Sequence, residues 1–533
     1  MISGYITNIT KINSAHSKHK SAVINLYIKE RHRMKLKTLS TAMILATVPM
    51  TGAFAAAMDR SGQSIAAFLQ PGNYFEAGIS VLDPTVEGQE AGNSATQRDI
   101  SDMAGDYYFP SAALKFQPTS KFSFGILYDQ PFGADAEYTG NNIFVSDSTN
   151  TILAPAALAG IRQNTINTNF NALTAQQRVG AVLQAQGVDL TTQAGQLQLQ
   201  GTLTAYNTDP TTKATIDAAV LNRVTQQVDA GLANVNGLLG TGNTSVEVDT
   251  QNLSFIAGFQ PTENWNIYAG PVYQTVKGNV SLRGQAYSIF NGYDSNIKET
   301  DGIGWLAGLA YQIPEIALKA SLTYRSEIDH DVTVNENIPT LPALALLPNG
   351  AIAAAAIAAA TGETKITTPQ SVNLDFQTGI MANTVAFANV RWVDWSSFSI
   401  RPYKFGLLSE AVGPLVQRPN GFNLVEYSDD QISATVGVGR KLSEQWAGNV
   451  SVGWDSGAGN PVSTLGPTEG YWNVGLGVQF SPAPNYFIAG GVKYFWLGDA
   501  KAQTGAQAGG SEYVANFEDN DALAYGLKIG YRF

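Results

Sequence analysis

The links between the patterned stretches of this chain constrain its fold more than the stretches themselves do. Apolar and polar residues alternate along 73–84, 105–117, 121–138, 244–260, 265–282, 296–313, 316–335, 364–380, 384–398, 422–441, 446–456, 470–480, 485–497 and 522–533. Successive side chains of a strand point to opposite faces, so each stretch reads as a strand with one apolar face. Every second link is tiny: Gln117–Ser120, Pro261–Asn264, Pro314–Glu315, Met381–Asn383, Ser443–Gln445 and Ser481–Pro484. The links between those are long: 85–104, 139–243, 283–295, 336–363, 399–421, 457–469 and 498–521. Tight turns on one rim and long loops on the other are the pattern of outer-membrane barrels, with the long loops extracellular. A sandwich mixes its loop lengths. The chain is therefore expected to be all-β: a transmembrane antiparallel barrel of about 14 strands over 73–533, with long, partly helical extracellular loops.

The facing pattern agrees. In the closing stretch, Leu523, Tyr525, Leu527, Ile529, Tyr531 and Phe533 share one parity, while Ala524, Gly526, Lys528, Gly530 and Arg532 share the other. From Ile316 onward, Leu318, Ala320, Leu322, Tyr324, Ile328, Val332 and Val334 are expected to face lipid. Lys319, Ser321, Thr323, Arg325, Glu327, Asp329 and Asp331 are expected to face the lumen, since a basic residue on the lipid face costs about 2–4 kcal/mol at the midplane. Trp472 to Phe480 and Tyr486 to Trp496 give similar outward stripes, their aromatic ends suited to the interfaces.

Residues 1–33 read as an upstream extension. From Met34, two lysines, the apolar run Leu39–Val48 and Ala53-Phe54-Ala55 follow the order of a secretory signal peptide, assigned to 34–55. Without 1–55 the chain loses eight of its 32 basic residues and one of its 43 acidic ones, leaving a net charge of −18. That balance argues against nucleic acid as a partner. There is no cysteine, and His330 is the one histidine beyond the leader, so no cofactor and no zinc site of the usual kind is expected. The apolar stretch Leu341–Ala360 is broken by Pro348-Asn349-Gly350 and is too short to span a bilayer as a helix.

Residues 56–72 precede the first strand. They form either a loose tail or a short luminal hatch held through Met58, Ile65, Phe68 and Leu69. The loop 139–243 is rich in Ala, Gln and Thr, and Ile216, Val220, Val224, Val228, Leu221 and Leu232 lie along one side of a helix there. It reads as an apolar cap over the barrel mouth or as helices packed on themselves. Leu341, Leu344, Leu346 and Leu347 in the loop 336–363 are expected to be exposed and to capture an apolar ligand.

Three stretches resemble a family: Leu322-Thr323-Tyr324-Arg325-Ser326-Glu327, Trp395-Ser396-Ser397-Phe398 and the terminal Tyr531-Arg532-Phe533 look like the FadL family of outer-membrane transporters for long-chain fatty acids and other hydrophobic compounds. The resemblance covers most of the barrel but not the 139–243 insertion. It implies fourteen strands, an N-terminal hatch and an inward kink in the third strand that opens sideways to the membrane. Tyr128 to Tyr138 corresponds to that strand, and Pro131, Phe132 and Gly133 would form the lateral gate. Proline removes a ladder donor and glycine weakens a strand, so a break there, or a bulge near the rim, also follows from the residues alone. The family's Asn-Pro-Ala hatch motif is absent; 56–72 offers Gln70-Pro71-Gly72. Arg283 answers to one of the basic residues that would hold a fatty-acid carboxylate, and Asn423–Tyr427 has no clear match to a second.

The expected function is passive diffusion of long-chain fatty acids or other hydrophobic small molecules across the outer membrane, by a monomer whose other partner is lipid. A general porin for polar solutes is the alternative. An outer-membrane hydrolase using His330 is a third reading, disfavoured because His330 lies on the lipid-facing parity.

Overall fold

The computed structural model describes residues 58–147, 149–152, 155–347 and 350–533; the side chains of 155–157 and 346 are also outside the described set. The expected leader, the stretch before it, and residues 56 and 57 therefore lie outside the described residues.

Fourteen antiparallel strands close into one barrel. They are β1 (Tyr74–Thr85), β2 (Tyr107–Phe116), β3 (Phe122–Asp129), β4 (Ser245–Phe259), β5 (Trp265–Leu282), β6 (Tyr293–Ile313) and β7 (Leu318–Arg325). The circuit continues with β8 (Ser371–Met381), β9 (Thr384–Val393), β10 (Gln431–Lys441), β11 (Trp446–Asp455), β12 (Tyr471–Ala483), β13 (Tyr486–Leu497) and β14 (Asp521–Arg532). The last strand returns to the first, with Tyr74 opposite Arg532 and Thr85 opposite Asp521. Apart from one break in the third strand, closure leaves no sheet edge in the hydrocarbon, where an unpaired amide has no water to turn to.

Exposed apolar side chains form the outer band, including Ile79, Ile126, Phe255, Leu309, Val450, Leu476, Val492 and Leu527. Aromatic pairs mark both of its edges. Near the short turns lie Phe122–Phe259, Trp265–Tyr311 and Trp446–Phe480; toward the long loops lie Trp305–Tyr324, Trp454–Trp472 and Tyr494–Trp496. These are the two interfacial girdles.

The parity expected from Ile316 holds only as far as Arg325. Ser326 donates its N–H to the Trp305 carbonyl and accepts the Trp305 N–H on its hydroxyl, each at 2.9 Å. The chain then leaves the wall. Ile328–Val332 pairs with Thr364–Thr368 as a separate two-stranded ribbon, and the wall resumes at Ser371. The ribbon lies close against Gly302 and Gly304 of β6, where a Cβ would meet Ile328 at 2.7 and 2.6 Å. Ile328, His330 and Val332 are consequently buried rather than lipid-facing, and Asp329 and Asp331 are exposed.

The insertion folds as helices α1 (Pro155–Ala172), α2 (Ala175–Ala185), α3 (Gln193–Thr208) and α4 (Pro210–Asn236). The Ile216, Val220, Val224, Val228 and Leu232 stripe is buried against Ile166, Val179, Leu183 and Leu199 of the other helices. Leu221, expected on that side, is exposed. Arg178 bridges to Asp217 at 3.1 Å, and Tyr206 donates to the same carboxylate at 2.7 Å. The helices pack chiefly on themselves; a seam of Ile152, Val235 and Ala343 joins them to the rim.

Candidate functional site

The third strand is broken where Pro131 and Gly133 stand. β3 pairs β2 from Phe124–Phe116 to Tyr128–Ala112, and pairs β4 as far as Asp129–Asn252. The chain resumes at Gly133–Glu137, with β4 its one ladder partner from Gly133–Asp249 and an isolated bridge from Ala136 to Ala104 on the other side. Three residues, 130–132, stand opposite two, 250 and 251. One surplus residue in a ladder with period two reverses the faces beyond it. Phe132 and Ala136 thus turn into the buried interior, and Asp135 turns toward the outside with its partner Glu247. On the other side, β2 from Tyr107 to Ser111 keeps β1 but has no ladder partner in the third strand.

The window this leaves is spanned by a side chain. The Tyr107 hydroxyl donates to the Asp135 carbonyl at 2.6 Å and accepts the Asp135 N–H at 2.8 Å. Beyond it the wall closes again, with the Gly105 N–H donating to the Asp135 carbonyl at 3.1 Å and the Glu137 N–H to the Met103 carbonyl at 2.8 Å. On the outer faces, β4 runs Phe259, Ala257, Phe255, Leu253 and then Gln251, Asp249, Glu247; β5 runs Ile267, Ala269, Pro271, Tyr273 and then Thr275, Lys277. The window therefore sits at the upper edge of the apolar band.

The segment 58–72 lies inside the barrel and docks on the break. The Arg60 N–H donates to the Pro131 carbonyl at 2.6 Å, and the Gly133 N–H donates to the Met58 carbonyl at 3.0 Å. These bonds flank an antiparallel bridge between Asp59 and Phe132, so backbone groups freed by the break are satisfied by the N-terminal segment. The Arg60 guanidinium lies 3.4 Å from the centre of the Tyr107 ring and fills the window from within. Asp59 pairs with Arg391 of β9 at 2.6 Å, and Arg391 also donates to Asn373 at 2.7 Å and Gln63 at 3.1 Å.

Lower in the lumen, Ile65, Phe68 and Leu69 pack against Tyr74, Leu127, Ile256, Tyr268 and Phe487. Phe68 meets Tyr268 edge-on at 5.7 Å. Its ring occupies the space where a Cβ on Gly125 or Gly258 would stand, at 2.5 and 2.8 Å, so these wall glycines make its seat. Lys319 donates to the Leu69 carbonyl at 3.0 Å and Lys115 to the Gln70 carbonyl. Met58 is buried beside Phe132 in the upper cluster.

Three cavities adjoin this assembly. A recess of about 240 Å³ opens at the window between Tyr108, Gln130, Asp135, Glu247, Asp249 and Lys277. A small cavity of about 40 Å³ lies on the inner side, against Leu82, Met103 and Leu465. A third, about 420 Å³, lies beneath Leu69 and Gln70, bordered by Lys115, Gln117, Glu263 and Lys319 at the short-turn rim. Above the window, Phe132 packs edge-on against Trp395 at 5.4 Å, and Trp395 against Phe398 and Tyr427 at 5.2 Å each.

Pro131, Phe132 and Gly133 are thus brought together with Met58, while Ile65, Phe68 and Leu69 form a second contact below. Other expectations are corrected. Leu341 and Leu344 are buried, because the loop folds its leucines down onto the apolar interior of the mouth; the Leu346 side chain lies outside those described. Exposed apolar residues of the outer loops include Ile352, Leu415 and Val416 instead. Arg283 is committed to Asp294 at 2.6 Å and to the Leu282 and Tyr293 carbonyls at 3.0 and 2.9 Å. His330 is fully buried and meets Gln274 at 2.9 Å. The sequence reading missed Asp59, Arg60, Tyr107 and Arg391. The adjacent charges Asp59-Arg60 in an otherwise uncharged segment were the available signal.

The family model described as outer membrane protein transport protein (OMPP1/FadL/TodX) matches residues 53–533. Among solved structures, a Pseudomonas aeruginosa FadL homologue superposes with a TM-score of 0.53 at 12% identity, covering 91% of this chain and 98% of that one. The P. putida toluene transporter TodX gives 0.48 at 10% identity over 92% and 98%, and the Ralstonia pickettii toluene transporter TbuX 0.46 at 11% over 93% and 97%. No curated protein sequence matches.

Proposed function

The chain belongs to the outer membrane transport protein family OMPP1/FadL/TodX, a family of transporters rather than enzymes, and from that premise we propose that it is a passive channel whose hydrophobic substrates leave sideways through the break in the third strand. Its place in the outer membrane and its transport of hydrophobic compounds follow from the family and the barrel. The observation that carries the lateral route is the window between β2 and Gly133–Glu137, with a recess outside and a cavity inside.

The axial alternative is unfavourable for an apolar solute. Residues 58–72 fill the lumen as a hatch, and the wall below presents the buried lysines Lys115, Lys493 and Lys528. Passing an apolar molecule along such a charged wall forfeits about 25 cal/mol for each Å² of surface that lipid would bury. In the described conformation Arg60 stops the window, so transport requires the Asp59-Arg60 segment to withdraw and the backbone bonds at Pro131 and Gly133 to open. Leu341 and Leu344 then belong to the apolar path beneath the loops rather than to a surface capture site.

The chain has no cysteine, so an Asp106→Cys variant carries a single thiol at the window recess. Attaching a bulky maleimide there is expected to block flux of a hydrophobic probe while leaving heat-modifiable folding intact. Undiminished flux after complete labelling would overturn the lateral route. A general porin would instead show salt-dependent conductance indifferent to that label.

A further inference from the structure

We infer that the window selects against carboxylates, so the substrate that leaves by it is an uncharged hydrophobic molecule rather than a fatty-acid anion. This rests on the lateral exit proposed above. The recess outside the window is bordered by four carboxylates, Asp106, Asp135, Glu247 and Asp249, and by two cations, Arg60 and Lys277. Lys277 is taken up by Asp249 at 3.3 Å, and Arg60 is the stopper stacked on Tyr107. Asp106 and Glu247 are exposed, and no basic side chain pairs with either or with Asp135 among the described residues. When Arg60 withdraws, the opening is left with a surplus of negative charge.

The placement sharpens the effect. The recess stands at the upper edge of the apolar band, where charges face one another beside low-dielectric lipid and are screened less than in bulk water. A carboxylate crossing there meets like charge during the step in which it also sheds its hydration. A neutral molecule carries no charge for those carboxylates to repel, and Tyr108 and Phe109 offer it apolar edges in the same recess. The other candidate anchor for a carboxylate is occupied too, since the Arg283 guanidinium is held by Asp294 and three backbone carbonyls. Two independent features therefore point to the same substrate class.

The test compares the barrel-dependent fluxes of decanol and decanoate at pH 8, where the acid is ionised, in vesicles carrying the purified full-length barrel, the flux into protein-free vesicles of the same lipid being subtracted from each. The variant combines Asp106→Asn, Asp135→Asn and Glu247→Gln, isosteric changes that leave the Asp249–Lys277 pair in place. The intact protein is expected to pass decanol at least tenfold faster than decanoate. The variant is expected to raise the decanoate-to-decanol ratio on the order of tenfold, the size that removing like charges from a partly solvated site gives. An unchanged ratio in the folded variant overturns the inference. Labelling the Asp106→Cys variant separates the two claims: if the label blocks decanol but neutralisation leaves the ratio unchanged, the exit stands and the charge selection falls. If the label leaves decanol flux intact, the exit falls, and the inference with it.

Discussion

Arg391 of the ninth strand and Asp59 of the N-terminal segment lie 332 residues apart in sequence, yet their side chains meet at 2.6 Å, each only 2% exposed. This pair fixes the segment against the wall one residue from the stopper Arg60. Removing one partner of a buried pair typically costs about 3–5 kcal/mol, because the other charge is left uncompensated. Asp59→Ala is expected to free the segment while the fourteen-strand ladder persists. Proteolysis near residue 60 should then accelerate, and conductance in planar bilayers should rise. A variant as protected and as closed as the parent would exclude an anchoring role.

The seat of Phe68 supplies a second test. A Cβ on Gly125 would stand 2.5 Å from the Phe68 ring, so Gly125→Val should expel it. Phe68→Ala should weaken the same docking by roughly 3–5 kcal/mol. The two changes touch one contact and are expected to be non-additive. Conductance of the double variant equal to the sum of the single effects would argue that the glycine and the ring act separately.

Glu469, in the loop between β11 and β12, gives a pH dependence. Burial pushes its carboxyl up to about 7, against an ordinary value near 4.5, with Asp429 adding to the rise. A raised acid favours the folded loop in its protonated form, so the contribution is full below about 4.5 and is lost as pH rises through about 7. Protease cleavage within 456–470 should therefore increase between pH 5 and 8. Glu469→Gln should flatten that profile; a profile that survives the substitution assigns it to another group.

The helical insertion has its own core and meets the rim through Ile152, Val235 and Ala343. Replacing 155–236 by a short polar linker is expected to leave a barrel that inserts, shows heat-modifiable migration and withstands surface protease at Pro261–Asn264. Loss of insertion into the membrane would show that the helices are needed to close the mouth.

How much of this could be read beforehand depends on the range of the forces involved. The fourteen strands, their short turns and the outward face of β14 were legible because alternation is a local property and lipid reads it strand by strand. Pro131 and Gly133 likewise announced a break, since each lacks something a ladder needs. The parity beyond Arg325 was misread because Ser326 satisfies Trp305 from both its backbone and its hydroxyl, which no periodicity records. Leu341 and Leu344 were expected in solvent because a long loop carries no pattern saying which way it folds. The partners of Asp59 and Arg60 lie far along the chain, at Arg391 and Tyr107, and only closure of the barrel brings them to the break. The sequence by itself determined a membrane barrel and the position of its weak strand. The tertiary structure alone decided that the N-terminal segment repairs that weakness, because the carbonyl of Pro131 and the N–H of Gly133 must find partners wherever the closed wall brings them within reach.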